Sequence, residues 1–449
     1  MPMNLPKRRQ LSSWQFLTLG YLLIILLGSF LLSLPIASRA GTYTPYLSAL
    51  FTATSATCVT GLAVVDTYLH WSLFGQLVLL VLIQVGGIGF MTVLTLVMLL
   101  LRKNVGLYQR QLIMQSAGNL NLSGSVALIL RILRGTLLIE GIGAALLSLR
   151  FCQDFGFWEG IYYGVFHAVS AFCNAGFDLM GRFGPFSSLA PYAGDPLVCL
   201  TAIALVLLGG LGFLVWTDLI KSRLRFRQFT LHTRIALVAS AVLIIVPTGL
   251  FYFYERDGLL AGLSPSQAWL RALFAAVTPR TAGFATIDMA HLSTGSVLLT
   301  TLLMFIGGNS GSTAGGIKIT TFVVMLFSPI AGARRSSNLV IGGRQLDDSI
   351  TKEAAATLSA YLLFAAAGCM VLAAGEPFSL TEILLEVVSA VATVGLSTGI
   401  TASLTAVSQV TLILLMFAGR LGVMTLAIAF GERRNPPPLR RPTDRILIG

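Results

Sequence analysis

The sequence predicts an all-α polytopic membrane protein made of four repeats, with eight spanning helices and four re-entrant pore helices. Two observations predict this fold class. First, the 449 residues are 55% hydrophobic and only 11% charged, whereas soluble globular domains carry charge on roughly a quarter of their residues. Second, four short polar turns that end on glycine recur at nearly equal intervals between apolar segments. These turns are SATCVTGL at 55–62, CNAGF at 173–177, TPRTAGF at 278–284 and TVGL at 393–396.

Each repeat divides into a long apolar helix, a shorter helix, the glycine-ended turn and a second long apolar helix. Crossing a bilayer takes about 20 residues, so the shorter helix is predicted to enter the membrane and turn back. In each repeat the first long helix, the short helix and the second long helix follow in that order. They are predicted at 14–35, 44–57 and 73–101, then at 125–149, 158–172 and 197–220, then at 235–253, 265–277 and 296–327, and finally at 354–372, 380–392 and 407–430. The corresponding repeats are 1–115, 116–228, 229–345 and 346–449.

The turns themselves predict how the repeats are arranged. Irregular backbone at membrane depth is tolerated only where it is buried in protein or faces water. Four such turns in one chain are therefore expected to meet on a shared axis. The fold class that follows has helix, pore-helix, filter-loop and helix repeats in pseudo-fourfold symmetry around one central pore.

The net charge of +12 is distributed in a way that predicts orientation. Lysine and arginine concentrate between the repeats and at the two ends, and the opposite side holds only Arg39, Arg150, Arg182 and Arg256. Basic loops face the cytoplasm, so both termini are predicted inside and the glycine-ended turns open outward. The charge therefore indicates a lipid bilayer rather than a nucleic acid as partner.

The turns have the composition that a cation filter needs. Rings of main-chain carbonyls replace the hydration shell of an alkali ion, and glycine adopts the required backbone conformations at low steric cost. An isolated TVGL is more typical of helix packing, but four equivalent turns favour a filter. The candidate filter residues are Val59, Thr60, Gly61, Asn174, Ala175, Gly176, Thr281, Ala282, Gly283, Thr393, Val394 and Gly395.

A second recurring motif lies in the last helix of each repeat. GGIGF begins at Gly86, GGLGF at Gly209, GGNSG at Gly307 and GRLGV at Gly419, so that Arg420 replaces the second glycine. An arginine at membrane depth is costly and marks a functional site by default. We predict that Arg420 acts as an electrostatic barrier to cations below the filter. The alternative is that it extends to the membrane interface.

The third repeat carries an additional feature, because GGNSGSTAGG at 307–316 interrupts its last helix with residues of low helix propensity. We predict a movable gate here. Asn309, Ser310, Ser312 and Thr313 are expected to offer oxygens to Arg420 or to a cation. Lys318 is expected either to anchor the loop at the cytoplasmic side or to extend to the membrane interface. The candidate gate residues are Arg420, Gly307, Gly308, Asn309, Ser310, Gly311, Ser312, Thr313, Ala314, Gly315, Gly316 and Lys318.

These motifs together resemble the Trk/Ktr/HKT superfamily of potassium transporters, and most of all KtrB, the ion-translocating membrane subunit of bacterial Ktr systems. The resemblance covers nearly the whole chain and rests on CNAGF, TPRTAGF, TVGLSTGIT at 393–401 and GGNSGSTAGGIK at 307–318. It implies that the four filter glycines coordinate potassium. Some plant members have serine in place of the first glycine and favour sodium, so Gly61 favours potassium. It also implies a homodimer in the bacterial inner (cytoplasmic) membrane on a KtrA-like cytosolic ring of nucleotide-binding subunits.

The predicted function is channel-like potassium uptake without an organic cofactor. No ATP-hydrolysing motif is present, so the driving force is the membrane potential, about 2.3 kcal/mol per charge per 100 mV, or a coupled ion. Sodium as a coupling or activating ion stays open. The main alternative is a sodium-selective transporter or sodium/potassium symporter of the same fold. A membrane enzyme is disfavoured because intramembrane charges are few.

Overall fold

The structure is a computed structural model that describes residues 13–89, 92–93, 125–334 and 339–423. The four predicted repeats are called quarters below, and each begins with a long helix, here named the outer helix. Each outer helix contains an apolar segment long enough to cross a membrane. The outer helices are Ser13–Ser33, Ser125–Phe155, Leu231–Glu255 and Asp348–Gly375.

A shorter helix follows each outer helix, at the position predicted for a re-entrant helix. These short helices have between 12 and 17 residues, which gives lengths of about 18 to 26 Å at 1.5 Å per residue. The fourth begins with a capping box, in which the Ser379 and Glu382 side chains each accept from the other's backbone N–H. The short helices are Tyr46–Thr57, Phe157–Cys173, Pro265–Val277 and Leu380–Val391.

The last helix of each quarter, here named the inner helix, is interrupted more often than the sequence predicted. The second inner helix was predicted as one helix over 197–220, and this is wrong, because it consists of two segments bent by 92°. The predicted continuations of the first and fourth, to residues 101 and 430, lie outside the described residues. The inner helices are Leu73–Ile88, Pro196–Gly210 with Phe213–Lys221, Thr294–Phe305 with Ile319–Ala333, and Ala406–Leu421.

One glycine explains the break in three of the four inner helices. Gly89, Gly212 and Gly422 have φ angles of +91°, +93° and +85°, and each is the fourth residue of its GGIGF, GGLGF or GRLGV motif. A residue in this left-handed region ends an α-helix, and glycine takes the conformation without a Cβ clash. In the third quarter the break widens into the loop at 307–316, closed at its base by a bridge between Ile306 and Ile317.

The quarters close into a ring through their short helices. Each short helix contacts the inner helix of the preceding quarter, and the first contacts that of the fourth.

Of the described residues, four helices are long and apolar enough to span a membrane, or five if the bent pair counts as one span. The remaining elements are the helix Thr67–His70, the 3-10 turns Pro35–Ala37, Met180–Arg182, Ala190–Tyr192, Phe226–Gln228, Met289–His291 and Ile400–Ser403, and the strands Val340–Ile341 and Arg344–Gln345.

Candidate functional site

The four glycine-ended turns lie against one another in a closed cycle. If a Cβ atom is placed on any one of the four glycines, it meets a carbonyl oxygen of the next quarter. That oxygen belongs in every case to the residue before the neighbouring glycine. The pairs are Gly61 with Ala175 at 2.6 Å, Gly176 with Ala282 at 3.0 Å, Gly283 with Val394 at 2.7 Å, and Gly395 with Thr60. The backbone of the four turns therefore approaches more closely than any side chain allows.

The turns also share an unusual backbone conformation. In each, the glycine and the residue two positions before it have positive φ, and a non-glycine residue pays a steric cost there. Alternating the backbone handedness along a turn allows successive carbonyls to face the same side. The φ angles are +56° at Val59, +58° at Asn174, +64° at Thr281 and +52° at Thr393, with +98°, +70°, +78° and +92° at the four glycines.

Buried hydroxyl groups hold this conformation in place. Ser55 Oγ accepts from the N–H of Gly61, and Ser389 Oγ accepts from the N–H of Gly395, both at 3.0 Å. In the second quarter the hydroxyl of Ser170 donates to the Phe177 carbonyl at 2.7 Å, and in the third Thr278 donates to Phe284. These residues were not among the candidates predicted from the sequence. The available signal was a serine six positions before the glycine in three of the four turns.

A cavity of about 520 Å³ lies on one side of the ring and is lined by all four glycines. Asp66, Asp178 and Asp288 also line it. Asp66 caps the helix Thr67–His70 through the N–H groups of Tyr68 and Leu69, and Asp288 caps a 3-10 turn. Both carboxylates therefore have a structural role and also contribute negative charge to the cavity, which attracts cations.

The third carboxylate, Asp178, lies in the loop that follows the second short helix. Its Oδ1 accepts one hydrogen bond, from the N–H of Met180 at 2.9 Å. The pKa of Asp178 is raised to about 7, mainly by burial and to a smaller extent by the charge of Asp66, while the hydrogen bond from the Met180 N–H opposes the shift. The negative charge of this cavity is therefore expected to increase as the pH rises through neutrality.

Arg420 lies on the other side of the ring and connects three quarters. Its guanidinium donates to the carbonyls of Thr313 and Gly86, and to that of Gly87 at 3.3 Å. Within the described part of the chain, no carboxylate lies within ion-pair distance of it. The positive charge is therefore surrounded by main-chain dipoles and is not neutralised by an acidic side chain.

The loop at 307–316 lies between Arg420 and the turns. It is bound to the broken second inner helix, because the bend at Gly212 frees carbonyls that accept from the N–H groups of Asn309 and Thr313. The N–H of Asn309 donates to the Gly210 carbonyl at 3.0 Å, and the N–H of Thr313 donates to the Gly209 carbonyl at 3.2 Å. Gly315 lies against the side chain of Thr393 at the base of the fourth turn. The loop therefore pairs with the carbonyls that the bend leaves without helical partners.

Three polar residues of this segment make defined contacts. Of the four residues expected to offer oxygens to Arg420 or to a cation, Thr313 accepts from Arg420 through its main-chain carbonyl, while its hydroxyl donates to the Phe172 carbonyl at 3.1 Å. The Ser310 hydroxyl lies 3.4 Å from that of Thr320. Lys318 donates to the carbonyl of Ala314 at 2.7 Å, so it does contact the end of the loop.

Comparisons with known proteins agree on one family. A sequence model of the TrkH family, described as "Cation transport protein", matches residues 15–435. The chain is 38% identical to the potassium/sodium uptake protein NtpJ of Enterococcus hirae over 98% of both chains. It is also 38% identical to the Ktr system potassium uptake protein B of Bacillus subtilis, over 97% of this chain and 96% of the other.

A solved structure gives the same result for the fold. The crystal structure of the potassium transporter TrkH from Vibrio parahaemolyticus matches with a TM-score of 0.75 at 18% identity. The match covers 94% of this chain and 86% of that chain.

Proposed function

Because the chain belongs to the TrkH family of cation transport proteins, we propose that it takes up potassium through one channel-like path lined by main-chain oxygens. The resemblance to Trk and Ktr proteins in the sequence is thereby confirmed. The family consists of transporters and not of enzymes. The single observation that carries the proposal is the closed cycle in which each glycine meets the carbonyl of the next quarter.

In this proposal, the four quarters form a pseudo-fourfold pore in which the short helices are pore helices and the glycine-ended turns are the filter. A dehydrated alkali ion needs oxygen ligands without a fixed charge that would trap it. The carbonyls of Thr60, Ala175, Ala282 and Val394 are positioned to provide them, since each lies next to a glycine of the adjoining quarter. The acidic cavity would be the outer entrance, where negative charge raises the local cation concentration.

Potassium is the proposed ion, and sodium selectivity or sodium/potassium symport is the second candidate. The similar Bacillus subtilis protein is named for potassium uptake, whereas the Enterococcus hirae protein is named for both potassium and sodium. Gly61 is present at the position where sodium-selective plant members carry serine. Uptake of radioactive rubidium in the presence of competing sodium or potassium separates the two candidates.

We further propose that the loop at 307–316 and Arg420 form the gate, with Lys318 anchoring the loop. The contact of Gly315 with Thr393 and that of the Thr313 carbonyl with Arg420 support this proposal, because the loop then lies directly against the proposed filter. The proposed assembly is a homodimer on a cytosolic nucleotide-binding ring, in the bacterial inner membrane with both termini in the cytoplasm. The name "Ktr system" of the similar proteins supports a multicomponent transporter.

Complementation tests this function directly. A bacterium that lacks its own potassium uptake systems should grow at low potassium when it expresses this chain, with faster growth when a cytosolic regulatory partner is present. Sodium in excess should inhibit rubidium uptake much less than potassium does. A chain that inserts into the membrane but never restores growth, with or without the partner, would exclude the proposal.

The hydroxyl anchors lead to a prediction about selectivity. In Ser389→Ala the N–H of Gly395 loses its acceptor, and an unsatisfied buried donor costs about 1–3 kcal/mol. The turn can relax only by moving its carbonyls, so we expect the ratio of potassium to sodium uptake to fall by about threefold to tenfold. The matched control is Ser33→Ala, whose exposed hydroxyl bonds only to Phe30. Equal selectivity in the two variants would show that the anchor is unnecessary.

Asp178 leads to a prediction about pH. Its carboxyl has a raised pKa of about 7, so it is neutral below this pH and negative above it. One charge about 8 Å from an entering ion, at an effective dielectric constant of about 40, contributes about 1 kcal/mol. The KM for potassium should therefore fall about fivefold between pH 6 and pH 8. In Asp178→Asn this decrease should disappear, and an unchanged pH profile in that variant would contradict the assignment.

A further inference from the structure

The segment between the second inner helix and the third outer helix has features that neither the proposed filter nor the proposed gate uses. It follows the 92° bend and comprises the helix Phe213–Lys221 and the turns at 222–230. Asp218 fastens its end, because Oδ2 of this carboxylate accepts from the N–H of Thr230 at 3.0 Å and from the Thr230 hydroxyl at 2.9 Å. The residues from 219 to 229 therefore form a closed loop, here named the basic loop.

The basic loop lies at the membrane surface that is remote from the outer cavity. It leads into the outer helix Leu231–Glu255, whose 25 residues extend about 38 Å at 1.5 Å per residue and so exceed a hydrocarbon core of about 30 Å. At the far end of this helix, Glu255 accepts from the N–H of Ser293 at 3.0 Å. Ser293 follows shortly after Asp288, which lines the outer cavity. The end next to the basic loop is therefore at the level of the lipid headgroups of the opposite leaflet.

The side chains of the basic loop combine unpaired positive charge with exposed apolar surface. The sequence from 219 to 229 contains no acidic residue, and none of its four exposed basic side chains forms an ion pair within the described ranges. The basic residues are Lys221, Arg223, Arg225 and Arg227. The apolar residues are Ile220, Leu224 and Phe226, which are 80%, 75% and 52% exposed. Such a combination is typical of a segment that lies in the membrane interface.

The backbone of the basic loop places an arginine where glycine is usual. The helix ends in a Schellman motif, in which the N–H of Leu224 donates to the Leu219 carbonyl at 3.1 Å and the N–H of Arg223 donates to the Ile220 carbonyl at 3.3 Å. The motif requires a positive φ at Arg223, and the observed value is +48°. A side chain has a steric cost there that glycine avoids. An arginine in this conformation indicates a function for its charge outside the local fold.

We propose that the basic loop binds the headgroups of anionic phospholipids in the leaflet remote from the outer cavity. Its basic side chains bind the lipid phosphates, which suit the paired N–H donors of arginine. Ile220, Leu224 and Phe226 enter the boundary between the headgroups and the acyl chains. The proposal goes beyond ion transport and does not depend on which ion the protein carries.

The composition of the loop favours a lipid over other anions. A soluble phosphate would pair with the arginines but would leave the three apolar side chains in water. An acidic protein surface would have to displace the anionic lipids that are present at this level of the membrane. In the interface of a bilayer, the positive charges and the apolar side chains find partners together.

A second loop on the same side provides a comparison. An added Cβ on Gly342 would lie 2.9 Å from the Leu231 side chain, so the loop at 339–347 lies beside the start of the same outer helix. Arg344 of this loop is exposed, but Asp347 follows it closely and caps the next outer helix. Its positive charge is therefore partly balanced, and we expect no strong binding of anionic lipid there.

The test is a lipid titration of the purified, full-length protein in an uncharged detergent. The melting temperature is followed by intrinsic fluorescence while phosphatidylglycerol replaces phosphatidylcholine at constant total lipid and low salt, since a lipid that binds only the folded state raises it. We expect a saturable rise in the wild type. Each basic residue near an anionic surface strengthens binding about fivefold. In the double variant Arg225→Gln with Arg227→Gln, the half-saturating phosphatidylglycerol concentration should therefore increase at least tenfold.

Arg223→Gly distinguishes lipid binding from a purely structural role. It removes the steric cost at this position, so it should melt above the wild type in phosphatidylcholine alone, yet it should need about five times more phosphatidylglycerol for half saturation. A structural role predicts the first change without the second. The matched control is Arg344→Gln with Lys352→Gln, since both side chains are exposed and basic and lie in or just after the comparison loop. This control should respond like the wild type.

A wild type without a phosphatidylglycerol response would overturn the lipid site, as would a double variant at Arg225 and Arg227 that responds like the control. An equal rise with glycerol 3-phosphate would indicate a site for small anions instead. If the double variant kept its lipid response but lost the stimulation of rubidium uptake by a regulatory partner, the loop would be a protein-docking surface. Rubidium uptake by the wild type tests the transport function separately.

Discussion

Replacing Arg420 with alanine is expected to increase potassium flux in the absence of any regulatory partner. The guanidinium has no carboxylate counter-charge in the described part of the chain and is held by the carbonyls of Thr313, Gly86 and Gly87. A unit charge about 6–8 Å from a passing cation costs about 2–3 kcal/mol at an effective dielectric constant of about 20. Its removal should therefore raise rubidium uptake into proteoliposomes roughly 30-fold to 100-fold.

Two further variants separate the charge of Arg420 from its hydrogen bonds. Arg420→Lys keeps the charge but loses the planar fork that reaches two carbonyls at once, and it should retain most of the barrier. Arg420→Gln keeps an N–H donor but loses the charge, and it should resemble the alanine variant. If the glutamine variant transported like the wild type, Arg420 would hold the loop and would not repel cations. If Arg420→Ala and the wild type showed equal flux, Arg420 would neither repel cations nor hold the loop closed.

Replacing Gly395 with alanine is expected to reduce potassium uptake by more than 100-fold. The φ angle of Gly395 is +92°, and the added Cβ would meet the Thr60 carbonyl oxygen and lie 3.0 Å from the Cα of Gly61. Both neighbours are backbone atoms of the first turn, so no side chain can move aside. The proposed ion path must change, and the measurement is rubidium uptake normalised to the amount of protein in the membrane.

Gly262 provides the control for backbone strain. Its φ angle is +75°, and an added Cβ would have no neighbour within 4 Å. Gly262→Ala therefore introduces a conformational cost of about 1–2 kcal/mol without a clash and away from the four turns. We expect a lower melting temperature but uptake within about threefold of the wild type. Similar uptake by Gly262→Ala and Gly395→Ala would mean that the fourth turn does not line the ion path.

Features repeated in the sequence were predicted well, because repetition distinguishes a structural requirement from chance. Gly61, Gly176, Gly283 and Gly395 recur in the same context, and the structure places them against one another. The boundaries of the four short helices were also predicted to within a few residues, since each lies between a loop and a glycine-ended turn.

The bend in the second inner helix was not predicted, because it depends on tertiary contacts. An apolar segment with one glycine pair is compatible with a straight helix, and glycine alone costs only about 1 kcal/mol there. At Gly212 the loop of the third quarter supplies N–H groups to the carbonyls of Gly209 and Gly210, so the bend leaves these carbonyls satisfied. The only signal in the sequence was the glycine shared by three motifs, GGIGF, GGLGF and GRLGV. Its recurrence across quarters indicates that this glycine ends the helix in each of them.

Single buried charges were the least predictable part of the site. Glu140 accepts from the Gln84 amide at 3.0 and 3.1 Å, Arg280 donates to the Ser240 hydroxyl at 3.2 Å, and Glu386 bonds to Thr401. Glu140 and Glu386 each occur once on a helix and Arg280 once in a turn, and sequence alone does not indicate whether such a side chain faces the protein, lipid or water. Their burial depends on neighbours that are distant in the sequence.

The central claim is that four main-chain turns form one binding path for an alkali cation. It is tested most directly by determining the structure of the full-length protein with rubidium in place of potassium and locating the ion by anomalous scattering. The account predicts rubidium on the axis enclosed by the carbonyl oxygens of Thr60, Ala175, Ala282 and Val394. Rubidium bound only elsewhere, with this axis empty at saturating concentration, would contradict it.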